Sequence, residues 1–436
     1  MKKIIPQSIK NIYHLFQAIL ANFWYGFPSR KIKIIGVTGT NGKTTTVQMI
    51  AKVLEEAGYK VAVNSTINFK IGGKEWVNKT KFTTLSSFKV QKFISDAVKE
   101  KCDYLVLETS SHSLDQYRVW GIKYEVAVIT NVTREHLDYH QDMENYRKAK
   151  CRLFEKANVA IVNLDMEKPE EYLDCGAREK YGFTTQVQSS KFKVQNSRSE
   201  LKVIGASEIN LGISESEFEI ATALAGSRLG GKNLKFSISL PGLFNVENAL
   251  AAVCVGLSQN INLETISKAL EKIKGIPGRM EYVPNSKGLN IIVDYAVTPD
   301  SLEKLYGLIK HINAGNNKII SVFGACGERD RGKRPIMGKI VSNCADYVFV
   351  TNEDSYNEDP GQIINEVAGG IRDKKENENF WKILDRREAI KKALALAKTG
   401  DFIVITGKGA EEIMAVGNKR IEWNDKKVIL EELERL

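Results

Sequence analysis

From Lys33 the chain runs from an apolar strand into a glycine-rich turn and then a helix. Ile34-Ile35-Gly36-Val37 is followed by Thr38-Gly39-Thr40-Asn41-Gly42-Lys43-Thr44-Thr45-Thr46, and helical periodicity extends to Gly58. A second strand, Lys60-Val61-Ala62-Val63, comes next. Strands alternating with helices demand a parallel sheet covered on both faces. Tyr104–Leu107, Val126–Thr130 and Val159–Val162 continue the series. The first two of these end where polar residues begin, which is where open α/β sheets hold ligands.

The pattern changes between about residues 185 and 240, where Phe192-Lys193-Val194, Phe218-Glu219-Ile220 and Leu234–Ile238 predict a small antiparallel insertion. A second α/β series starts near Gly278, with strands at Leu289–Val293, Ile319–Phe323, Tyr347–Val350 and Phe402–Ile405. At 436 residues the chain is too long for one core. The expected plan is a short helical segment over 1–30, a nucleotide-binding domain over 31–277 and a doubly wound domain over 278–436.

Composition narrows the function. With 43% hydrophobic and 27% charged residues, the chain has the balance of a soluble globular protein. The net charge of +10 comes from Lys and Arg mixed with acids, with no basic run, so nucleic acid is not expected. Polyanionic small molecules or an anionic membrane surface fit it better. The six cysteines form no CxxC pair, which suits the cytoplasm and indicates neither zinc nor disulfides. No run of 18 apolar residues exists to span a membrane. An apolar, aromatic stripe from Ile12 to Tyr25 is flanked by Lys2, Lys3, Lys10, Arg30, Lys31 and Lys33. It reads either as a helix packed on the body or as a peripheral interfacial helix.

The turn from Thr38 to Thr46 has the chemistry of a phosphate loop. Its glycines let backbone N–H groups approach phosphates, Lys43 neutralises them, and the Thr44 hydroxyl can reach Mg²⁺. The strict pattern wants a small residue at Val37, and the chain has Gly36 and Gly39 instead. Glu108, at a strand end, is a hard oxygen ligand for that metal. Three of the five histidines, His112, His136 and His140, lie close by in sequence.

These segments, with Asn131–Asp138 and Tyr146-Arg147-Lys148-Ala149-Lys150, resemble the Mur ligase family. So do Gly242–Asn248, Gly278-Arg279-Met280-Glu281, Val293-Asp294-Tyr295-Ala296 and Phe323–Pro335. The resemblance runs in order over about residues 33 to 430 and is greatest to the MurE type, the UDP-N-acetylmuramoyl-tripeptide synthetases. It implies an α/β protein: a P-loop central domain with a parallel sheet, and a C-terminal Rossmann-like domain that binds the amino acid.

What the resemblance implies can be carried over by residue. Gly39, Thr40, Asn41, Gly42, Lys43, Thr44 and Thr45 would hold the ATP phosphates. Thr44 and Glu108 would hold one Mg²⁺, and His136 and a carbamylated Lys150 a second. Lys43, Glu108, His136 and Lys150 form the catalytic set. Read without the resemblance, Lys150 is a surface charge beside Arg147 and Arg152. Asn245 and Asn248 would face the adenine or ribose, while Arg279 and Asp294 would meet the nucleotide from the C-terminal domain. Thr83, Thr84, Ser110, Ser111 and His112 match positions that hold the nucleotide-sugar peptide, although such hydroxyls also cap helices.

The implied reaction forms an acyl phosphate on a muramoyl-peptide carboxylate and then joins an amino acid to it, as in peptidoglycan precursor synthesis. Arg329 would bind the amino acid's α-carboxylate and Glu411 an ammonium, with Gly407 beside them. The sequence departs from the diaminopimelate-adding pattern at Glu353-Asp354-Ser355-Tyr356, where an arginine is missing, and at Val297 and Ala410, where histidines are usual. About thirty residues precede the phosphate strand where the resemblance would place a uridine-binding domain, so reduced UDP recognition is expected. The expected partners are small molecules acting on a monomer. The alternatives are a ligase for another or lipid-linked carboxylate and a non-catalytic ATP-dependent binding protein.

Overall fold

The computed structural model describes residues 6–80, 82–186, 200–221, 233–313 and 317–436. It divides into two compact units. The first holds Met1–Thr133 and His140–Lys274, and the second Arg134–Tyr139 and Gly275–Leu436.

Among the described residues, the first unit is built on an eleven-stranded sheet. In spatial order its strands are Asn233–Ile238, Ser216–Ala221, Leu201–Leu211, Glu179–Thr184, Val159–Asn163, Val126–Ile129, Lys33–Thr38, Tyr104–Glu108, Val61–Asn64, Asn68–Ile71 and Lys74–Val77. The central strands are parallel and almost wholly buried, which is why they read as continuous Val/Ile/Leu runs rather than alternating ones. Register decides the chemistry. Val37 pairs with Glu108 and Thr38 with Ile129, so the ends of three strands reach one edge together.

The antiparallel segment is real, but it is not a separate sheet. Leu201–Leu211 pairs parallel with Glu179–Thr184 and antiparallel with Ser216–Ala221, so the three strands extend the main sheet. The Leu201 strand went unread because its outward residues are polar or charged. The expected strand at Phe192–Val194 lies outside the described residues.

Among the described residues, the second unit carries a six-stranded sheet in the order Glu281–Val283, Asn290–Asp294, Phe402–Thr406, Ile319–Phe323, Tyr347–Thr351 and Phe380–Ile383. All neighbours are parallel except the first pair. The edge strands at Glu281 and Phe380 add to the four expected. A buried ion pair braces this unit: Arg386 and Asp425 are both fully buried, 2.7 Å apart, and Arg386 also donates to the Thr406 carbonyl. Removing one partner of such a pair leaves an uncompensated charge and costs about 3–5 kcal/mol.

The N-terminal helix spans Gln7–Trp24. It packs against the helix Ser87–Lys99, and Asn22 donates to the Trp120 carbonyl at 2.9 Å. The residues it buries are Ala18, Ala21 and Asn22, while the large apolar stripe faces outward. Among the described residues no helix is long and apolar enough to cross a membrane.

Candidate active site

The phosphate loop joins the strand Lys33–Thr38 to the helix Lys43–Glu56. Gly39 has φ 147°, and a Cβ there would lie 1.9 Å from the Thr130 hydroxyl, so no side chain fits. Asn131 clamps the loop from the next strand: its Oδ1 accepts from the Asn41 amide at 2.9 Å, and its carbonyl accepts from the Thr40 amide at the same distance. The Thr40 hydroxyl shares a hydrogen bond of 3.0 Å with the Tyr146 hydroxyl. The Lys43 amine folds over the loop and donates to the Gly39 and Thr40 carbonyls at 3.1 and 2.9 Å.

Glu108 is buried at the end of its strand. The Thr44 hydroxyl lies 3.2 and 3.1 Å from its two oxygens. Thr66 donates to the same carboxylate through its amide, at 2.7 Å, and its hydroxyl, at 2.8 Å. Hydroxyl and carboxylate oxygens converging beside a phosphate loop fit Mg²⁺, which takes one or two protein oxygens and completes its shell with phosphate and water. Among the described residues no three His, Cys, Asp or Glu side chains gather into a metal cluster. Thr66 was missed because it sits in a turn after Asn64 with no local pattern to mark it.

Lys150 is not a surface charge. It is 1% exposed, its amine donates to the Gly39 carbonyl at 2.8 Å, and it stands 4.5 Å over the Tyr146 ring. Burial, with Lys43 nearby, pulls its ammonium well below the usual lysine range. The helix bearing it, Met143–Cys151, is capped by Asp142, which accepts from the Asn145 amide at 2.7 Å. A buried, neutral-leaning amine beside a phosphate loop suits carbamylation.

Thr83, Thr84, Ser110, Ser111 and His112 are brought together. Thr83 Oγ1 is 3.2 Å from Thr66 Oγ1, and the Thr84 hydroxyl donates to the Glu108 carbonyl at 3.1 Å. The Ser110 side chain caps the short helix Ser111–Asp115. Ser111 Oγ lies 3.0 Å from His140 Nε2, and the His112 and His140 rings meet at 5.4 Å. Burial holds the His140 imidazole down at about 4. Asn245 and Asn248, expected at the adenine or ribose, are buried and engaged by protein. Asn245 donates to the Pro241 carbonyl at 2.8 Å, while Asn248 Oδ1 accepts from Thr46 at 3.1 Å and crowds Gly42. In this structure they brace the loop.

His136 lies in the Arg134–Tyr139 segment, grouped with the second unit, and has the left-handed φ of 58°. In that segment Glu135 pairs with Lys333 at 3.0 Å.

Elsewhere in the second unit, the Arg279 guanidinium stacks 4.5 Å over Tyr295, and Asp294 accepts from the Met280 and Ala296 amides at 2.7 Å each. Gly278 has φ 64°, and a Cβ there would lie 2.0 Å from the Ala410 nitrogen, so two loops meet back to back. Although burial works against its charge, Arg329 is held above the usual arginine range, with the Asp138 carboxylate among the groups that favour the guanidinium. Glu411, expected to hold a substrate ammonium, is ion-paired to the fully buried Lys408, which also binds Asp354 at 3.0 Å. Lys408 was passed over because a lysine between glycines reads as a loop charge. Glu353 is 3% exposed, and its buried Oε2 has no hydrogen-bond partner among the described residues. Burial, and then the charge of Asp354, push its carboxyl up to about 7. Gly407 lies against that carboxylate. Tyr356 has φ 49°, bridges to Val416, and lies 5.3 Å beneath the Arg420 guanidinium.

The chain is similar to known proteins along most of its length. The profile of the Mur ligase middle domain matches residues 37–256, and that of the Mur ligase, glutamate ligase domain matches 278–409. A UDP-N-acetylmuramoyl-L-alanyl-D-glutamate–2,6-diaminopimelate ligase of Syntrophomonas wolfei is 40% identical over 419 residues, covering 95% of this chain and 81% of that one. A UDP-N-acetylmuramyl-tripeptide synthetase of Roseiflexus is 35% identical, covering 94% and 80%. A solved structure of a UDP-N-acetylmuramoyl-L-alanyl-D-glutamate–2,6-diaminopimelate ligase superposes with a TM-score of 0.59 at 30% identity, covering 93% of this chain and 78% of the other. With its phosphate loop, Thr44–Glu108 pair and buried Lys150 in place, the chain belongs to the Mur ligase family, the ATP-dependent ligases that join amino acids to carboxylates in peptidoglycan precursor synthesis.

Proposed function

We propose that this protein adds an amino acid other than diaminopimelate to a muramoyl-peptide carboxylate, acting as a cytoplasmic monomer. The observation that carries the catalytic half is the convergence of Lys43, Thr44, Glu108 and Lys150 on one loop. The loop amides and Lys43 bind and orient the ATP phosphates, so that the acceptor carboxylate attacks the γ-phosphorus and ADP leaves. The product is an acyl phosphate, from which the amino acid's amine displaces inorganic phosphate. Thr44 and Glu108 would hold one Mg²⁺, and a carbamylated Lys150 would serve a second. When bound, the metal neutralises charge building on the phosphoryl oxygens. Ser110, Ser111 and His112 would position the acceptor, with His140 holding Ser111 in place as a neutral imidazole.

The amino-acid half rests on Arg329, Glu353 and Tyr356. Arg329 supplies the cation for an α-carboxylate. Tyr356 stands where a second arginine would grip a distal carboxylate, and it offers a ring and a hydroxyl but no positive charge. Phosphate release measured over a panel of amino acids against several muramoyl-peptides tests the reading. We expect turnover with lysine or neutral amino acids. No ATP-dependent product with any pair would overturn it.

A further inference from the structure

The helix Gln7–Trp24 is amphipathic in the reverse of the usual sense. Its docked side is small and polar: Ala18, Ala21 and Asn22 are buried, and Asn11 donates to Asp115 at 3.1 Å. Its outer side carries Ile12, Tyr13, Phe16, Leu20, Phe23 and Trp24, each between 44% and 79% exposed. These positions recur at spacings of one, three and four residues and so make one continuous stripe. Scattered exposed apolar residues need no explanation, whereas a whole exposed helix face does.

Charge identifies what covers it. No Asp or Glu precedes Glu55, whereas Lys2, Lys3, Lys10, Arg30, Lys31 and Lys33 lie in that stretch. Arg30, Lys31 and Lys33 are exposed just past the helix end. The adjoining helix Ser87–Lys99 adds exposed Phe88, Lys89 and Lys92. The nearby acids are engaged, Asp96 by Lys92 at 2.7 Å and Asp115 by Asn11 and Arg152. An apolar stripe ending in Phe and Trp beside exposed cations that outnumber the nearby acids matches an anionic bilayer, where rings sit at headgroup level and cations meet lipid phosphates.

We infer that the outer face of the helix Gln7–Trp24 is a peripheral docking surface for anionic membrane lipid. This is independent of which acceptor the ligase uses. The test is flotation of the full chain with vesicles of phosphatidylglycerol and phosphatidylcholine, and with phosphatidylcholine alone. Two variants accompany it: Phe16→Ser/Phe23→Ser/Trp24→Ser, and Arg30→Glu/Lys31→Glu. The wild type is expected to float with anionic vesicles in a salt-sensitive way, each variant losing about tenfold or more in partitioning at unchanged melting temperature. Absence of flotation, or equal flotation of wild type and both variants, would overturn the proposal. A lipid-free dimer that the serine variant dissolves would overturn it too, because a second copy would then be the occupant.

Discussion

The Lys150 amine donates to the carbonyl of Gly39 at 2.8 Å, across 111 residues of sequence. It thus reports on the phosphate loop directly, although its own segment reads as a basic surface helix. Lys150→Ala should lose about two or more orders of magnitude in turnover, partly restored by added acetate or formate. Carbon-13 NMR of the wild type under labelled bicarbonate should show one carbamate signal that the variant lacks. Full activity without additive, or an identical spectrum, would exclude the carbamate.

Lys43→Ala should reduce ATP-coupled ligation at least about a hundredfold, because a charge that stabilises the transferring phosphoryl group is lost. Its melting temperature should change little, since the amine reaches loop carbonyls at 3.1 and 2.9 Å and fills no part of the apolar core. Ligation at the wild-type rate would contradict the assigned role.

Glu353 predicts a pH dependence of stability. Its carboxyl is raised from 4.5 to about 7, so the native state keeps a proton that the unfolded chain has released. Stability associated with this group is present below pH 4.5 and is lost as pH rises through 7. Glu353→Gln should therefore match the wild type near pH 4.5 and exceed it above pH 7, by on the order of 3 kcal/mol. Urea unfolding at both pH values checks this. An equal difference at each would refute it.

Tyr356→Arg should shift preference toward diaminopimelate by about tenfold, read as a ratio of kcat/KM values, because it restores a cation where the distal carboxylate would lie. A wild-type preference for diaminopimelate over lysine would defeat the specificity reading. So would an unchanged ratio in the variant.

Several features were legible in the sequence because their signals are local. The strand, glycine loop and helix from Ile34 through Lys43 to Glu56 follow from residues adjacent in the chain, and buried parallel strands announce themselves as short apolar runs. Two α/β series and the family resemblance follow from the same signals. What only the tertiary structure decided are relationships set by strand register and helix packing. Val37 beside Glu108 depends on sheet register, and Thr66 at that carboxylate depends on where a turn falls. Lys408 against Glu411 and Asp354 depends on two loops meeting. The outward stripe of the helix Gln7–Trp24 depended on which face docks. Periodicity shows that such a face exists, but only packing against neighbours determines whether it is covered by the rest of the chain.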